Sequence, residues 1–511
     1  MLAIVLFALT SSDEGEPACL HPARGVPVIR RLYDQLAGYG GIRVVTWGGW
    51  RASIASALPD DVEVVGADGL GEALERGVDA AGQETAVVLL HAHLVASDLG
   101  LQRLVDGAES GTATLVAASG ERPGWPVRIV RGRVVAAGSD LHALETQEHV
   151  AVDALRIAAS DRNAVVERVG ELRTLLEPGG PTEWRTARAS SPVTAADDAG
   201  AARPDPLALL LVATVRGGIP VAATPLPRGL VWRLARAAAD ASAAAREVSD
   251  VDEEAVRLDA SVKELDGFFT TFLVSPYSRY WARWAARRSI TPNQVTIASM
   301  AVGVAAAGAY AVGTLWASVI GGALLQLAFT LDCVDGQLAR YCRRFSTFGA
   351  WLDSVFDRAK EYLVYVGLVL GGIRVGDDTS VWLLAAAALS LQTFRHTLDL
   401  GYAEQQRADV AAEVRRSVTD TAGSVEPFWA NTPMDDTGAP ARIIVSLRRA
   451  EDRSLLRWAK RIVILPIGER FALITVLAIV ASPRLVFLVL LAWGGLATAY
   501  TFGGRLVRSF A

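Results

Sequence analysis

Four aspartates lie in one stretch of 26 residues between two uncharged apolar runs: Asp332, Asp335, Asp353 and Asp357. Carboxylates beside a membrane-length helix are costly unless a positive charge compensates them, and hard divalent cations prefer oxygen ligands. At about 100° per residue, Asp332 and Asp335 share one helix face, and Asp353 and Asp357 share another. The spacing therefore predicts two facing carboxylate stripes that hold divalent ions. The competing interpretation is that these carboxylates cap helices or form a solvated face.

Small residues accompany the aspartates, because Gly336, Ala339 and Gly349 stand where a ligand or a neighbouring backbone could approach closely. The whole pattern, D-x-x-D-G-x-x-A-R-x8-G-x3-D-x3-D, resembles the signature of the CDP-alcohol phosphotransferases (CDP-alcohol phosphatidyltransferases), a family of integral membrane enzymes. Every fixed position is present, and the resemblance extends from about residue 266 to the C-terminus. It implies transfer of a substituted phosphate from a CDP-alcohol to an acceptor hydroxyl, with release of CMP and with two Mg²⁺ or Mn²⁺ ions bound.

The resemblance also implies roles for individual residues. The four aspartates would be the metal ligands, and Asp357 would also be the general base that takes a proton from the acceptor hydroxyl. Residues expected to contact the CDP moiety are Asn293, Gly336, Ala339, Arg340 and Gly349. For Asn293 the alternative is a plain helix start, because Thr291 and Pro292 suit the N-cap and the first helical position.

Three cationic residues outside the signature form a candidate acceptor-phosphate pocket: Lys360, Arg395 and Arg470. Lysine is scarce in this chain, whose first lysine is Lys263, so Lys360 one turn after Asp357 is conspicuous. The alternative is that these cations only anchor helix ends at the cytoplasmic membrane face.

Six segments have the roughly 20 residues needed to cross a hydrocarbon layer of about 30 Å. They are 292–312, 315–337, 348–372, 380–399, 462–481 and 484–504. Arginines concentrate on one side of these segments, and the positive-inside rule makes that side cytoplasmic. Aromatic residues and arginines interleave in 266–290, which predicts an amphipathic interfacial helix. We therefore expect a multi-pass protein of the cell (plasma) membrane, with a polar, mostly loop-like insertion at 402–460 and a cytoplasmic active site.

Residues 1–176 alternate between strand-length and helix-length apolar patterns, which predicts a cytoplasmic α/β domain with crossover connections. Met1–Thr10 is interpreted as its first buried strand rather than as a signal peptide. The order resembles the nucleotidyltransferase (Rossmann-like) fold of sugar-phosphate cytidylyltransferases. That family's glycine-rich, lysine-bearing loop has no counterpart here, and no acidic residue lies at His91–His93, where the family's metal-binding aspartate would fall.

We therefore predict a degenerate N-terminal domain that serves scaffolding, regulation or assembly, and the alternative is a bifunctional cytidylyltransferase/phosphotransferase. His91 and His93 alternate as on a strand and could suggest a metal. Two histidines without a third ligand are more often structural, and that is the interpretation favoured here. Residues 177–265 are predicted to form a linker and connecting helices, because 177–206 is rich in Pro, Gly, Ala and Ser. The C-terminal domain, 266–511, is then predicted to be all-α.

Composition excludes some classes of function. The formal net charge of −5 argues against nucleic acid as the main partner, and three cysteines give no disulfide framework. The favoured class is a membrane transferase of phospholipid or inositol-phosphate-type biosynthesis, with CDP-diacylglycerol as a candidate donor and a homodimer by resemblance. Competing classes are a divalent-cation transport protein and a non-catalytic scaffold. Transport is disfavoured because all four aspartates lie at one membrane face, whereas carriers place their sites near the midplane.

Overall fold

A computed structural model describes residues 2–509 except 14, 80–84, 107–110, 131, 141, 143, 145–147, 177–203, 264–265, 378 and 424–461. The chain divides into two compact units. The N-terminal unit comprises Met1–Val256 with Gln406–Asp435, and the C-terminal unit comprises Arg257–Gln405 with Asp436–Ala511.

The N-terminal unit is built on a nine-stranded sheet. Its strands are β1 Leu2–Ala8, β4 Gly41–Trp47, β5 Glu63–Ala67, β6 Ala86–His91, β8 Ala113–Ala118, β9 Trp125–Val130, β10 Arg133–Ala137, β11 His149–Ile157 and β12 Val221–Pro225. Their order in the sheet is β5-β4-β1-β6-β11-β8-β12-β10-β9. Short pairs are formed by β2 Pro22–Ala23 with β3 Val26–Pro27, and by β7 Leu94–Ala96 with β13 Trp232–Leu234. Strands β5, β4, β1 and β6 are parallel, and β11 runs antiparallel beside β6.

Helices cover both faces of this sheet, as the apolar β1 sequence requires. Strand β1 is buried along nearly its whole length, which is typical of a central strand of a parallel sheet. Phe7 belongs to the core on one face, and Leu6 belongs to the core on the other. The helices are α1 Val28–Leu36, α2 Arg51–Ala55, α3 Leu70–Val78, α4 Asp98–Val105, α5 Arg162–Leu176, α6 Pro206–Arg216, α7 Ala238–Asp250 and α8 Glu253–Ser261, the last of which crosses the unit boundary.

The predicted α/β architecture is confirmed, and Met1–Thr10 contains β1 as expected. The structure extends the N-terminal unit beyond the expected boundary at residue 176. Helix α6 is buried in the core, and β12 pairs with β8 through Ala222 and Ala113, so residues 206–256 complete the sheet instead of only connecting two domains. Most of the predicted linker, 177–203, lies outside the described residues.

The C-terminal unit is helical. A π-helical turn at Thr270–Val274 leads into the first of its helices. The helices are α9 Ser275–Arg287, α10 Pro292–Val312, α11 Leu315–Cys342, α12 Thr347–Arg374, α13 Ser380–Gly423, α14 Ile467–Val480 and α15 Pro483–Ser509. Helix α13 crosses the unit boundary at residue 405. Their common core contains Tyr310, Phe471 and Phe487, each almost fully buried.

Three helices in the described residues are long and apolar enough, by length and composition, to cross a membrane: Pro292–Val312, Leu315–Cys342 and Pro483–Arg505. The predicted count of six spans is not confirmed. Helix α12 has the length but carries five charged side chains between Asp353 and Glu361, and α14 has only 14 residues. Helix α13 continues through residue 423, which replaces the expected loop at 402–423; residues 424–461 of the predicted insertion lie outside the described part of the chain.

Candidate active site

The aspartate cluster is built by the hairpin of α11 and α12. Arg343 ends α11 in the left-handed backbone region, with φ 52°, and Ser346 caps α12 by accepting a hydrogen bond from the Gly349 N–H at 2.9 Å. After this short reversal, α11 and α12 both pack against α10. Carboxylate oxygens of Asp332, Asp335 and Asp353 all lie within 4.8 Å of one another.

Asp357 joins the cluster through a buried lysine. Lys360 is fully buried, and its Nζ lies 3.0 Å from Oδ1 of Asp357 and also forms an ion pair with Asp332. The Nζ also donates a hydrogen bond at 3.0 Å to Oγ of Ser299 on α10. The ammonium group therefore partly neutralises two of the four carboxylates and ties α10 to the hairpin.

Helix α10 supplies hydroxyl groups to the same cluster. A capping box of Thr291 and Gln294 starts this helix, with Pro292 at its first position, as the sequence predicts. Five residues after its N-cap, Thr296 donates a hydrogen bond at 2.6 Å to Oδ2 of the buried Asp335. The contributions of Thr296 and Ser299 were not predicted, because hydroxyl residues on an apolar helix give no distinctive sequence signal.

The residues predicted to contact CDP lie around this cluster. A Cβ atom at Gly349 would lie 2.8 Å from Oδ1 of Asn293, so these two residues are neighbours and the glycine leaves room for the amide. Gly336 faces the guanidinium of Arg340, and Nε of Arg340 donates a hydrogen bond to the carbonyl of Ser261. Ala339 lies next to Arg340 on α11. The nucleotide-binding role of all five residues stays a prediction.

The three predicted acceptor residues are divided between two groups. Lys360 lies with the aspartates, whereas Arg470 forms a buried ion pair with Glu361 at 2.9 Å. Arg395 donates a hydrogen bond at 2.6 Å to the carbonyl of Ile464, and Gln392 lies beside both arginines. The charge of Arg470 is therefore balanced by Glu361, a residue that the sequence analysis did not single out.

A second group of potential ligands lies in the N-terminal unit. One ligand atom each of His91, Asp153 and Asp205 lies within 4.8 Å of the others. Burial, and then the neighbouring Asp205 carboxylate, raise the pKa of Asp153 to about 7. His91 was noted in the sequence, but its carboxylate neighbours come from β11 and the start of α6, far along the chain. His93 is not part of this group, although its ring centroid lies 5.2 Å from that of His91.

A helical unit with an aspartate cluster at the junction of two long helices is the architecture that the sequence signature implies. Residues 289–414 match the family model of the CDP-alcohol phosphatidyltransferases. The C-terminal unit of this chain therefore carries a CDP-alcohol phosphatidyltransferase domain, and the predicted resemblance is confirmed.

Two curated relatives match parts of the chain. An archaetidylinositol phosphate synthase of Pyrococcus horikoshii is 32% identical over 126 residues, which cover 24% of this chain and 65% of the relative. A bifunctional IPC transferase and DIPP synthase of Aquifex aeolicus is 35% identical over 96 residues, which cover 19% of this chain and 21% of the relative. The matched region spans less than two thirds of the length of either relative.

Among solved structures, the inositol-1-phosphate CTP transferase from T. maritima aligns with 49% of this chain and 97% of its own, at 13% identity and a TM-score of 0.35. A likeness this weak does not indicate what the N-terminal unit binds. The α/β architecture of that unit is established by its own sheet.

Proposed function

We propose that the C-terminal unit transfers a substituted phosphate group from a CDP-alcohol to an acceptor hydroxyl and releases CMP. The observation that carries this proposal is the convergence of Asp332, Asp335 and Asp353 within a CDP-alcohol phosphatidyltransferase domain. The carboxylates form an oxygen-only donor set, which suits Mg²⁺ or Mn²⁺. These three aspartates, with Asp357 beside them, would hold two ions.

In the proposed reaction Asp357 takes the proton of the acceptor hydroxyl. The hydroxyl oxygen forms a bond to the β-phosphorus of the donor, the bond from that phosphorus to the bridging oxygen breaks, and CMP leaves. Bound divalent ions would neutralise the negative charge of the diphosphate. Asn293 and Gly349, at the start of α10 and α12, would bind the cytidine side, together with Gly336, Ala339 and Arg340 on α11.

We infer a lipid donor of the CDP-diacylglycerol class and a polyol-phosphate acceptor. Support for the acceptor comes from the names of the relatives, an archaetidylinositol phosphate synthase and a bifunctional IPC transferase and DIPP synthase. Lys360, Arg395 and Arg470 would bind the acceptor phosphate. The alternative, a bifunctional enzyme, would need a nucleotide site in the N-terminal unit.

The proposed setting is a multi-pass protein of the cell membrane with its aspartates on the cytoplasmic side, working as a homodimer. Support for a membrane-surface position comes from α9, where Tyr277, Tyr280, Trp281 and Trp284 are exposed. Guanidinium groups stack on this aromatic surface, with Arg283 5.6 Å from the Tyr280 ring centroid. Aromatic side chains with interleaved arginines are typical of helices at the lipid headgroup level.

The test is CMP release by the purified full-length protein with CDP-diacylglycerol and a panel of polyol-phosphate acceptors, with and without Mg²⁺. We expect acceptor-dependent CMP release that EDTA abolishes and that Asp357→Asn reduces by at least about 100-fold. The matched control is Asp399→Asn, which removes an exposed carboxylate on α13 paired with Arg505. Absence of CMP release with every CDP-alcohol tested would favour cation transport or a scaffold instead.

A further inference from the structure

The N-terminal unit contains a cavity of about 1020 Å³. Aromatic, cationic and acidic side chains line it, among them Arg122, Trp125, Asp153, Asp205, Trp232 and Arg236. The two aspartates meet His91 at the carboxyl end of β6, the sheet edge at which ligands of open α/β folds commonly bind.

Three different elements bring the ligand atoms together. His91 is the last residue of β6, and the next strand, β11, places Asp153 beside it because Ala154 pairs with Leu90. Asp205 is the N-cap of α6. The three side chains therefore come from separate parts of the chain, and they could not meet unless the sheet were formed.

The histidine has unused coordinating capacity. Its side chain is 1% exposed, and Nδ1 has no hydrogen-bond partner among the described residues. Nε2 lies in close polar contact with Oδ2 of Asp205, at 3.0 Å. Buried ring nitrogens are normally paired, so the unpaired Nδ1 points to a missing partner.

The carboxylates are held in orientations that leave oxygens available. Oδ1 of Asp205 accepts hydrogen bonds from the N–H groups of Leu207 and Ala208, both at 2.9 Å, which fixes the carboxylate and leaves Oδ2 toward His91. Asp153 lies in a shift of register in β11 and has φ 46°, a backbone conformation that redirects its side chain. Supporting hydrogen bonds of this kind orient metal ligands in proteins.

We propose that His91, Asp153 and Asp205 bind one divalent transition-metal ion. A donor set of one imidazole nitrogen and two carboxylate oxygens suits Zn²⁺ or Mn²⁺ better than Mg²⁺, which prefers oxygen alone. Three protein ligands leave a coordination position for an exogenous ligand. Because Asp153 and Asp205 line the cavity, that ligand enters from the cavity.

This site is separate from the aspartate cluster of the C-terminal unit in both its residues and its donor chemistry. It also differs from an ion-pair network, in which a charged His91 and the cavity-lining Arg236 would balance the two carboxylates without any ion. Both arrangements hold the same side chains, so metal retention is the measurement that separates them.

The experiment uses the full-length protein in detergent, loaded with ZnCl₂ and then gel-filtered in excess Mg²⁺, so that Mg²⁺ saturates the oxygen-only cluster. We expect about one equivalent of zinc to remain, as measured by elemental mass spectrometry. His91→Asn should lower zinc affinity by more than about 10-fold. The matched control is His93→Asn, because His93 is equally buried, two residues away and outside the group, and this variant should keep the zinc.

Asp153→Asn is the second variant, since it is isosteric and keeps the imidazole in place, and it too should lose zinc. Thermal unfolding and gel filtration report whether the variants fold and should not change in any of them, so the outcome does not depend on the proposed phosphotransferase reaction. Binding of Co²⁺ by the wild-type protein should produce a visible absorption band that His91→Asn removes. Wild-type protein without retained zinc, or equal retention by the His91 and His93 variants, would overturn the proposal.

Discussion

The Nζ of Lys360 lies 3.0 Å from Oδ1 of Asp357, one turn earlier on α12, and the same ammonium forms an ion pair with Asp332 on α11. A buried cation in contact with two proposed metal ligands must affect the affinity of the cluster for divalent ions, because its charge opposes theirs. Its contacts also include Ser299, so it holds three helices in register.

Lys360→Met should lower the Mg²⁺ concentration for half-maximal CMP release by about tenfold. That factor corresponds to about 1.4 kcal/mol, which is modest for a unit charge within a few ångströms of an ion at an effective dielectric constant of about 20. The measurement is a Mg²⁺ titration of CMP release, and Arg358→Met, which removes a cation on the same helix, is the control. A change confined to the acceptor KM would instead support the acceptor-binding role predicted for Lys360.

Arg395→Gln should raise the KM for a polyol-phosphate acceptor more than the KM for the CDP-alcohol donor. The predicted role of Arg395 is to attract the acceptor phosphate, and its guanidinium donates a hydrogen bond to the carbonyl of Ile464 rather than to a carboxylate in the described contacts. The two KM values are measured in one assay by varying each substrate at saturation of the other. Equal increases in the acceptor KM and the donor KM would contradict an acceptor-binding role for Arg395.

Much of this site follows from local sequence, and the remainder depends on long-range packing. The aspartate spacing and the start of α10 at Thr291 were predictable, because helix periodicity and capping act within a few residues. The partners of Lys360 and His91 were not, because they depend on how α10 crosses the hairpin and on which strand lies beside β6.

Arg470→Met should destabilise the C-terminal unit strongly, because it leaves Glu361 buried without its partner. Both side chains are buried, and the guanidinium contacts both carboxylate oxygens, at 2.9 and 3.1 Å. Breaking such a pair on one side costs about 3–5 kcal/mol, whereas replacing both partners costs much less. Thermal unfolding of Arg470→Met, Glu361→Gln and the double variant should therefore show recovery in the double variant, and additive losses would contradict the coupling.

Cys19 should resist alkylation by iodoacetamide at pH 8 in the folded protein. Its side chain is buried in the core of the N-terminal unit, and burial raises the pKa of its thiol to about 12. Only the thiolate reacts, so labelling should keep rising about tenfold per pH unit through pH 10, where an ordinary thiol levels off. Peptide-resolved mass spectrometry measures the rate, and the denatured protein is the control. Rapid labelling of the folded protein at pH 8 would show that this part of the core opens.

Gly367→Ala should disrupt the contact between α10 and α12 that supports the aspartate cluster. An added Cβ would lie 2.3 Å from the carbonyl oxygen of Ala307, which is backbone and cannot rotate away. The helices would have to separate, at a cost of about 1–3 kcal/mol, and Ser299 would move away from Lys360. The matched control is Gly308→Ala on the exposed face of α10, where an added Cβ meets nothing within 4 Å. The rate of CMP release and the unfolding temperature should both fall in Gly367→Ala and stay unchanged in Gly308→Ala. Equal values for the two variants would mean that the cluster tolerates a change in helix spacing.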